Sequence, residues 1–352
     1  MSFVIYGATG YTGDLVTREA VDRGHQPTLA GRNRDALEAL GRELGLPVSV
    51  TPLDQPDALD QLLEPHDVVL HCAGPFSGTS RSMADACIRT KTHYLDITGE
   101  IAVFEALARR DAEATRAGVT LLPGVGFDVV PTDCLAAHLS DRLPSATHLR
   151  LAFQTRGGVS RGTALTTIQG LGRGGAIRRD GVITPVPVAW KTSQVDFGAG
   201  PRSVVTIPWG DVSTAFHSTG IGNIEVSIAM RPSRIRALRR TRPFQRILGS
   251  TPVVSLLRGI IQRRLSGPTA EERARGGVDV WGEVSDAEGR RAHARLRGPE
   301  GYSFTALAAV RIAERVLQGT SSGFLTPSRA CGAEFVLEIP GVIREDVPVE
   351  VE

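Results

Sequence analysis

Residues 3–13 constrain this chain more than any other stretch: Phe3-Val4-Ile5-Tyr6 runs directly into Gly7-Ala8-Thr9-Gly10-Tyr11-Thr12-Gly13. A short apolar run of strand formers meets three glycines at G-x-x-G-x-x-G spacing, and Asp14 to Arg23 then carries Leu15, Val16 and Val21 at helical period. Strand, glycine turn and helix in immediate succession point the free N–H groups of a helix start at an anion. Gly7 permits the tight turn, Gly10 lets the backbone approach a pyrophosphate, and Gly13 lets helix pack closely on strand. Ala8, Thr9, Tyr11 and Thr12 complete the loop. A strand-to-helix turn with no ligand is the plainer alternative.

The pattern continues as a βαβα unit. Gly24 ends the helix, Pro27-Thr28-Leu29-Ala30 reads as a second strand, and Arg34 to Leu44 is amphipathic through Leu37, Leu40 and Leu44. Val48-Ser49-Val50 and Asp67 to Ala73 read as third and fourth strands, the latter almost continuously apolar, as a strand buried on both faces should be. Thr120-Leu121-Leu122-Pro123 reads as a later one. The fold expectation is α/β: a Rossmann-type, doubly wound parallel sheet.

Nucleotide preference is read at the end of the second strand. An acidic residue there accepts hydrogen bonds from a ribose 2′-OH, whereas this chain has Gly31-Arg32-Asn33-Arg34. Arg32 offers a fork of donors to a 2′-phosphate and Asn33 a neutral one, so the expected cofactor is NADP(H). The alternative makes these arginines solvated residues at a helix start, where cations oppose the helix dipole.

At 352 residues the chain exceeds the usual ceiling for one core, and 41% hydrophobic with 22% charged residues describes a globular rather than a disordered chain. After Asp133 the texture changes to glycine-rich loops and alternating segments such as Ser203 to Ile207 and Ile224 to Met230. The expected organisation is a dinucleotide-binding domain over 1–133, a mostly antiparallel α+β domain for substrate binding or dimerisation over 134–300, and a segment 301–352 packing back on the first domain through a helix from Ala306 to Leu317. The N-terminus leaves no room for a secretory leader, and no apolar run approaches transmembrane length, so a cytoplasmic location is expected. Cys72, Cys87, Cys134 and Cys331 form no C-x-x-C pair, His66 and His71 lack ligand spacing, and no metal site is expected. With Lys91 and Lys191 the only lysines, a Tyr-x-x-x-Lys pair cannot be built and Schiff-base chemistry is disfavoured.

Taken together, GATGYTG, AGRN, CAGPF (Cys72 to Phe76), THYLDITGE (Thr92 to Glu100) and GVGFDVVPTD (Gly124 to Asp133) resemble the saccharopine dehydrogenase-like NADP-binding family. GPTAEERARGG, EGYSFTA and GFLTPSRACG are similar to C-terminal blocks of its actinobacterial, trans-acting enoyl reductase branch. The family usually has a Tyr-Gly pair shortly after AGPF, where this chain has Ser77-Gly78-Thr79-Ser80. The resemblance implies that Ala73, Gly74, Pro75 and Phe76 lie beside a nicotinamide ribose, at the end of a strand where open α/β sheets bind ligands. It also implies an adenine-proximal role for Asp54, for which a helix N-cap is an equal alternative.

Hydride transfer needs a positioned nicotinamide, a polarised acceptor and a proton donor. Tyr94, Asp96, Glu100, Asp128 and Asp133 fall in the blocks expected to face the nicotinamide; Glu100 and Asp128 are the candidates for acid/base or substrate-orienting work, with capping as the alternative. His217 is the best-placed histidine of the second domain, in an apparent strand–loop context. The leading expectation is an NADPH-dependent reductase of an activated C=C bond in a small-molecule or carrier-bound acyl substrate. Its rivals are reduction of an imine or oxidation of a secondary amine, which requires carboxylate-binding arginines such as Arg156, Arg161 and Arg173, and a redox sensor that binds NADPH without turnover.

One segment stands apart. Arg231 to Arg264 holds ten arginines and no lysine or acidic residue, interleaved with apolar residues, in a chain of net charge +2. It reads as two short amphipathic helices broken near Gly249 to Pro252. It either packs on its own domain or docks an acidic carrier protein, a CoA-type phosphate or an anionic membrane surface, which would make the protein peripheral to a membrane. Nucleic acid is disfavoured because no aromatic stacking platform accompanies the charge.

Overall fold

A computed structural model describes residues 3–158, 160–169, 172, 174–264 and 267–348. The chain divides into two compact units, Met1–Val130 with Tyr302–Gly332, and Pro131–Gly301 with Ala333–Glu352.

The first unit carries β1 (Phe3–Tyr6), α1 (Tyr11–Asp22), β2 (Thr28–Gly31), α2 (Arg34–Leu44), β3 (Val48–Val50), α3 (Pro56–Leu63), β4 (Val68–His71), α4 (Ser80–Thr90), β5 (His93–Asp96), α5 (Ile101–Ala108), α6 (Asp111–Ala117) and β6 (Thr120–Leu122). The strands form one parallel sheet in the order β6-β5-β4-β1-β2-β3, with the short strand Gly323–Phe324 added beside β6. The order reverses between β1 and β4, the position where open α/β sheets leave a crevice for ligands. All four residues of β1 and of β4 are buried, so each aliphatic side chain there contributes about 1.5–3 kcal/mol relative to exposure. The element β5 carries no apolar run long enough to announce it in the sequence; its pairing on both edges makes it a strand.

Local signals explain the boundaries. The Asn33 side chain accepts from Ala36 N at 3.2 Å and starts α2, and Gly45, left-handed at φ 67°, ends it. Helix α1 begins at Tyr11, earlier than Asp14, because Gly10 already serves as its N-cap. The later helix Gly301–Gln318 returns to this unit from Tyr302 onward: Glu314 accepts from Arg23 at 2.5 Å and lies 2.7 Å from His25, while Phe304 packs edge-on to Phe127 at 6.1 Å.

The second unit is a mixed sheet in the order Thr192–Asp196, Pro201–Thr206, Asn223–Ala229, His148–Arg156, Gly277–Ser285, Arg291–Gly298 and Ile343–Val347, with the hairpin Gly175–Arg179/Val182–Val186 attached to Asn223–Ala229. Within this sheet only the pairing of Asn223–Ala229 with His148–Arg156 is parallel among the described strands.

Two organisational expectations are corrected. The 133/134 boundary falls inside the helix Val130–Arg142, which starts where Pro131 and Asp133 suit a first turn, so the units part at 130/131. Residues 301–352 do not pack as one segment: Ala333–Glu352 belongs to the second unit, where Ile343–Val347 pairs with Arg291–Gly298 and Arg344 donates to Glu334 at 2.7 Å. His217 lies on the helix Asp211–Thr219, closed by the left-handed Gly220, and not at a strand end. The basic segment forms three helices, Pro232–Arg240, Gln245–Leu248 and Thr251–Arg264, because Pro243 adds a second interruption.

Candidate nucleotide and proton-transfer site

The turn after β1 is closed by backbone geometry that admits only glycine at two of its three glycine positions. Gly7 has φ +86°, and a Cβ there would stand 2.8 Å from Ala73 N; a Cβ on Gly13 would stand 2.2 Å from Gly7 O. Gly7 therefore abuts the turn after β4, and Gly13 seats α1 against the loop. Gly10 differs. Its backbone is ordinary extended chain (φ −75°, ψ 159°) and its Cβ would meet only Gly7 O, at 3.2 Å. A side chain there fits only if Gly7 O gives by a few tenths of an ångström, and it would stand where a pyrophosphate is expected to cross the loop. The first-turn N–H groups of a helix have no intrahelical acceptors, so the start of α1 is suited to an anion. Ala8 is buried, and the Tyr11 ring packs edge-on to Tyr302 at 5.0 Å.

At the end of β2, Arg32 is exposed with no ion pair among the described residues, whereas Arg34 pairs with Glu38. Asn33 spends its side-chain oxygen on α2, which leaves only its amide group for a phosphate. Asp54 is exposed in the turn before α3, and Gln55 holds the N-cap position there, which removes the capping alternative for Asp54. Arg32 and Asp54 both act electrostatically on the Tyr6 hydroxyl, which burial pushes up to about 12 and which donates to Thr51 O at 2.8 Å.

The turn Ala73-Gly74-Pro75-Phe76 is held from two sides. Glu100, the first residue before α5, gives both carboxylate oxygens to the neighbouring turn, accepting from Phe76 N at 2.7 Å and Ser77 N at 3.1 Å. Thr79 donates to Ala73 O at 2.8 Å and receives His71 Nε2 at 3.0 Å. His71 is fully buried among Tyr6, Phe76 and Tyr94, and burial pushes it down to about 3, so it is a neutral donor through Nε2. Sequence reasoning gave Thr79 no task. The only available signal was the departure from Tyr-Gly in the run Ser77-Gly78-Thr79-Ser80.

Beneath lies Asp96, which accepts from Tyr94 OH at 2.5 Å, Thr98 N at 2.9 Å and Gly124 N at 2.9 Å; burial pushes it up to about 6 against those bonds. It ties the loop after β5 to the loop after β6. On that second loop sits Asp128, packed so tightly on Gly99 that a Cβ there would stand 2.7 Å from its Oδ2. Asp128 is half-buried, no hydrogen bond or ion pair among the described residues reaches its carboxyl, and burial alone pushes it up to about 7. The two acidic candidates thus differ in kind: Glu100 is committed to the turn, and Asp128 is uncommitted with its titration near neutrality. Asp133 lies in the second unit with its carboxylate against Ser218. Burial pushes the Cys72 thiol up to about 12 and Cys87 higher, so neither supplies a thiolate. Among the described residues no group of His, Cys, Asp and Glu is placed to hold a metal ion.

Residues 3–122 match the family profile described as saccharopine dehydrogenase NADP binding domain. Over these residues the chain is similar to that NADP-binding domain. Similar proteins include a saccharopine dehydrogenase-like oxidoreductase of Bos taurus, 31% identical over 37% of this chain and 35% of that protein, and its Mus musculus counterpart, 27% identical over 53% and 50%. A trans-acting enoyl reductase of Mycobacterium ulcerans (strain Agy99) is 30% identical over 40% of this chain and 35% of that protein. The matches therefore span a third to a half of those relatives' lengths. The saccharopine dehydrogenase (L-Glu forming) of Saccharomyces cerevisiae shares the fold with a TM-score of 0.68 at 12% identity, over 99% of this chain and 100% of that one. The homospermidine synthase of Legionella pneumophila, solved in complex with NAD, does so with a TM-score of 0.64 at 11% identity, over 98% and 91%.

In the NADP-binding domain the exposed Arg32 is the expected source of 2′-phosphate selectivity. The protein should bind NADPH at least tenfold more tightly than NADH, because charge-assisted bonds at Arg32 contribute roughly 1.5–3 kcal/mol. Arg32→Asp should erase or reverse that ratio in fluorescence titrations; equal affinities in the parent would contradict it.

Proposed function

We propose that this protein is an NADP(H)-dependent oxidoreductase that reduces an activated C=C bond, most simply in an enoyl thioester, with Asp128 as proton donor. Bound NADPH supplies the hydride. The chain's own residues do the rest: Gly7, Gly10 and Gly13 shape the pyrophosphate cradle, Arg32 selects the 2′-phosphate, and Glu100 and Thr79 hold the turn Ala73–Phe76. The observation that carries the reading is the partner-free carboxyl of Asp128 with its pKa near 7, matched to giving up a proton at neutral pH.

The similarity to a trans-acting enoyl reductase supports the C=C choice. The similarity to saccharopine dehydrogenase-like proteins keeps imine reduction as the second reading. Of the arginines that reading calls on, Arg156 is engaged with Asp279, the Arg161 side chain is not described, and Arg173 lies outside the described residues. The test is NADPH consumption with a panel of trans-enoyl thioesters against 2-oxo acid and amine pairs. Turnover of thioesters at least tenfold above the pairs is expected. Turnover confined to the pairs overturns the C=C assignment, and tight NADPH binding without turnover of either overturns catalysis in favour of a sensor.

A further inference from the structure

The segment 231–264 is a cationic surface with apolar side chains turned outward, and its occupant follows from charge. Its ten arginines and lack of acids give it a formal +10 in a chain of +2, so the remainder carries −8. A second copy of the same surface is excluded as its partner by that repulsion.

The first helix is anchored to its own unit. Ile235 is buried and packs with Ala189 and Val205, and Leu238 joins them. Arg239 donates to Ala189 O at 3.1 Å, and Arg242 donates to Val188 O at 2.9 Å and Ala189 O at 2.8 Å. The helix Thr251–Arg264 packs against the helix Arg161–Gln169. These contacts dispose of two arginines and one apolar stripe. Among the arginines whose side chains are described, Arg231, Arg234, Arg236, Arg240 and Arg258 are left over, all exposed and none in an ion pair among the described residues.

The apolar side is as telling. Phe244 is 57% exposed, Ile247 62%, Leu256 67% and Ile260 45%, half of the eight large hydrophobics exposed among the described residues. Leu256 and Ile260 are one helical turn apart and share a face. A soluble acidic protein would be met by the arginines but gives no reason for four bulky apolar groups to stand among them. Arginines to meet anionic headgroups, with Phe, Leu and Ile to enter the acyl boundary, are the two components of an interfacial helix.

We propose that residues 231–264 dock this protein on an anionic membrane surface, with Phe244, Ile247, Leu256 and Ile260 entering the interface and Arg231, Arg234, Arg236, Arg240 and Arg258 meeting lipid phosphates. No helix among the described residues is long and apolar enough to cross a membrane, so the attachment is peripheral. It is independent of which bond is reduced and of whether Asp128 donates a proton.

The test is flotation of the full chain with vesicles of phosphatidylcholine and phosphatidylglycerol in equal parts, against phosphatidylcholine alone, at low and high salt. Partition is expected to favour the anionic vesicles at least tenfold and to weaken severalfold at high salt, because each basic residue near such a surface contributes roughly fivefold. Arg234→Ser/Arg236→Ser/Arg240→Ser/Arg258→Ser should lose at least tenfold in partition. Phe244→Ser/Leu256→Ser/Ile260→Ser should lose binding at high salt while keeping weak adsorption at low salt. Val182→Ser/Ile343→Ser, which removes exposed apolar groups elsewhere, should bind like the parent, and thermal melts with NADPH titrations identify any variant that misfolds. A parent that does not float with anionic vesicles at low salt overturns the proposal, as does a folded four-arginine variant that floats as well as the parent. Saturable binding of an acidic acyl carrier protein under conditions where vesicles fail would assign the surface to a protein instead.

Discussion

Asp128→Asn is expected to lower kcat by about 10²–10⁴ while leaving NADPH affinity within a few-fold, because it deletes one positioned proton donor and touches none of the nucleotide contacts. The variant keeps the shape against Gly99 and removes only the ionisable proton. Parent turnover should fall as pH rises through about 7, where the carboxyl loses its proton. On stability the substitution should act in the opposite direction. Burial raises the folded-state value from 3.8 to about 7, so between those values the folded chain binds more protons than the unfolded one and stability declines as pH increases. Asp128→Asn should therefore melt above the parent at pH 8, and the gap should close as pH falls toward 4. Full activity in the variant would remove Asp128 from the chemistry. A lower melting temperature at pH 8 would show that its carboxylate is not the destabilising group described.

Gly10→Val is expected to weaken NADPH binding by at least about 100-fold, the loss of two charge-assisted backbone bonds at roughly 1.5–3 kcal/mol each. Stability should fall by about 1 kcal/mol or more, since valine suits the extended backbone at this position but is a poor N-cap and its Cβ would crowd Gly7 O at 3.2 Å. Gly13→Ala should behave in reverse, destabilising the first unit outright because its Cβ would sit 2.2 Å from Gly7 O. Calorimetric melts alongside fluorescence titrations separate the two. If Gly10→Val keeps a Kd within threefold of the parent, the pyrophosphate does not cross this residue.

Much of this was legible in the chain order. Residues 3–50 declare a βαβαβ run because a glycine turn, an N-cap asparagine and period-3.6 apolar spacing are local signals, each acting within a few residues. Arg32 could be placed for the same reason: it directly follows the end of β2. The site beyond the first loop was only half legible. Glu100 and Asp128 read alike as short acidic residues near glycines. What separates them is that Glu100 meets Phe76 and Ser77 from more than twenty residues away, while no donor among the described residues reaches Asp128.

The tertiary structure alone decided where the final 52 residues go. Nothing local distinguishes Gly301–Gln318, which returns to the first unit from Tyr302, from Ile343–Val347, which closes an edge of the second sheet. The choice rests on which buried faces and unpaired edges await them hundreds of residues upstream, such as Arg23 and His25 for Glu314. The basic segment shows the division most sharply. Its charge is a property of sequence, whereas the burial of Ile235 and the exposure of Phe244, Ile247, Leu256 and Ile260, all apolar residues of one segment, are set by which of them meet the rest of the unit.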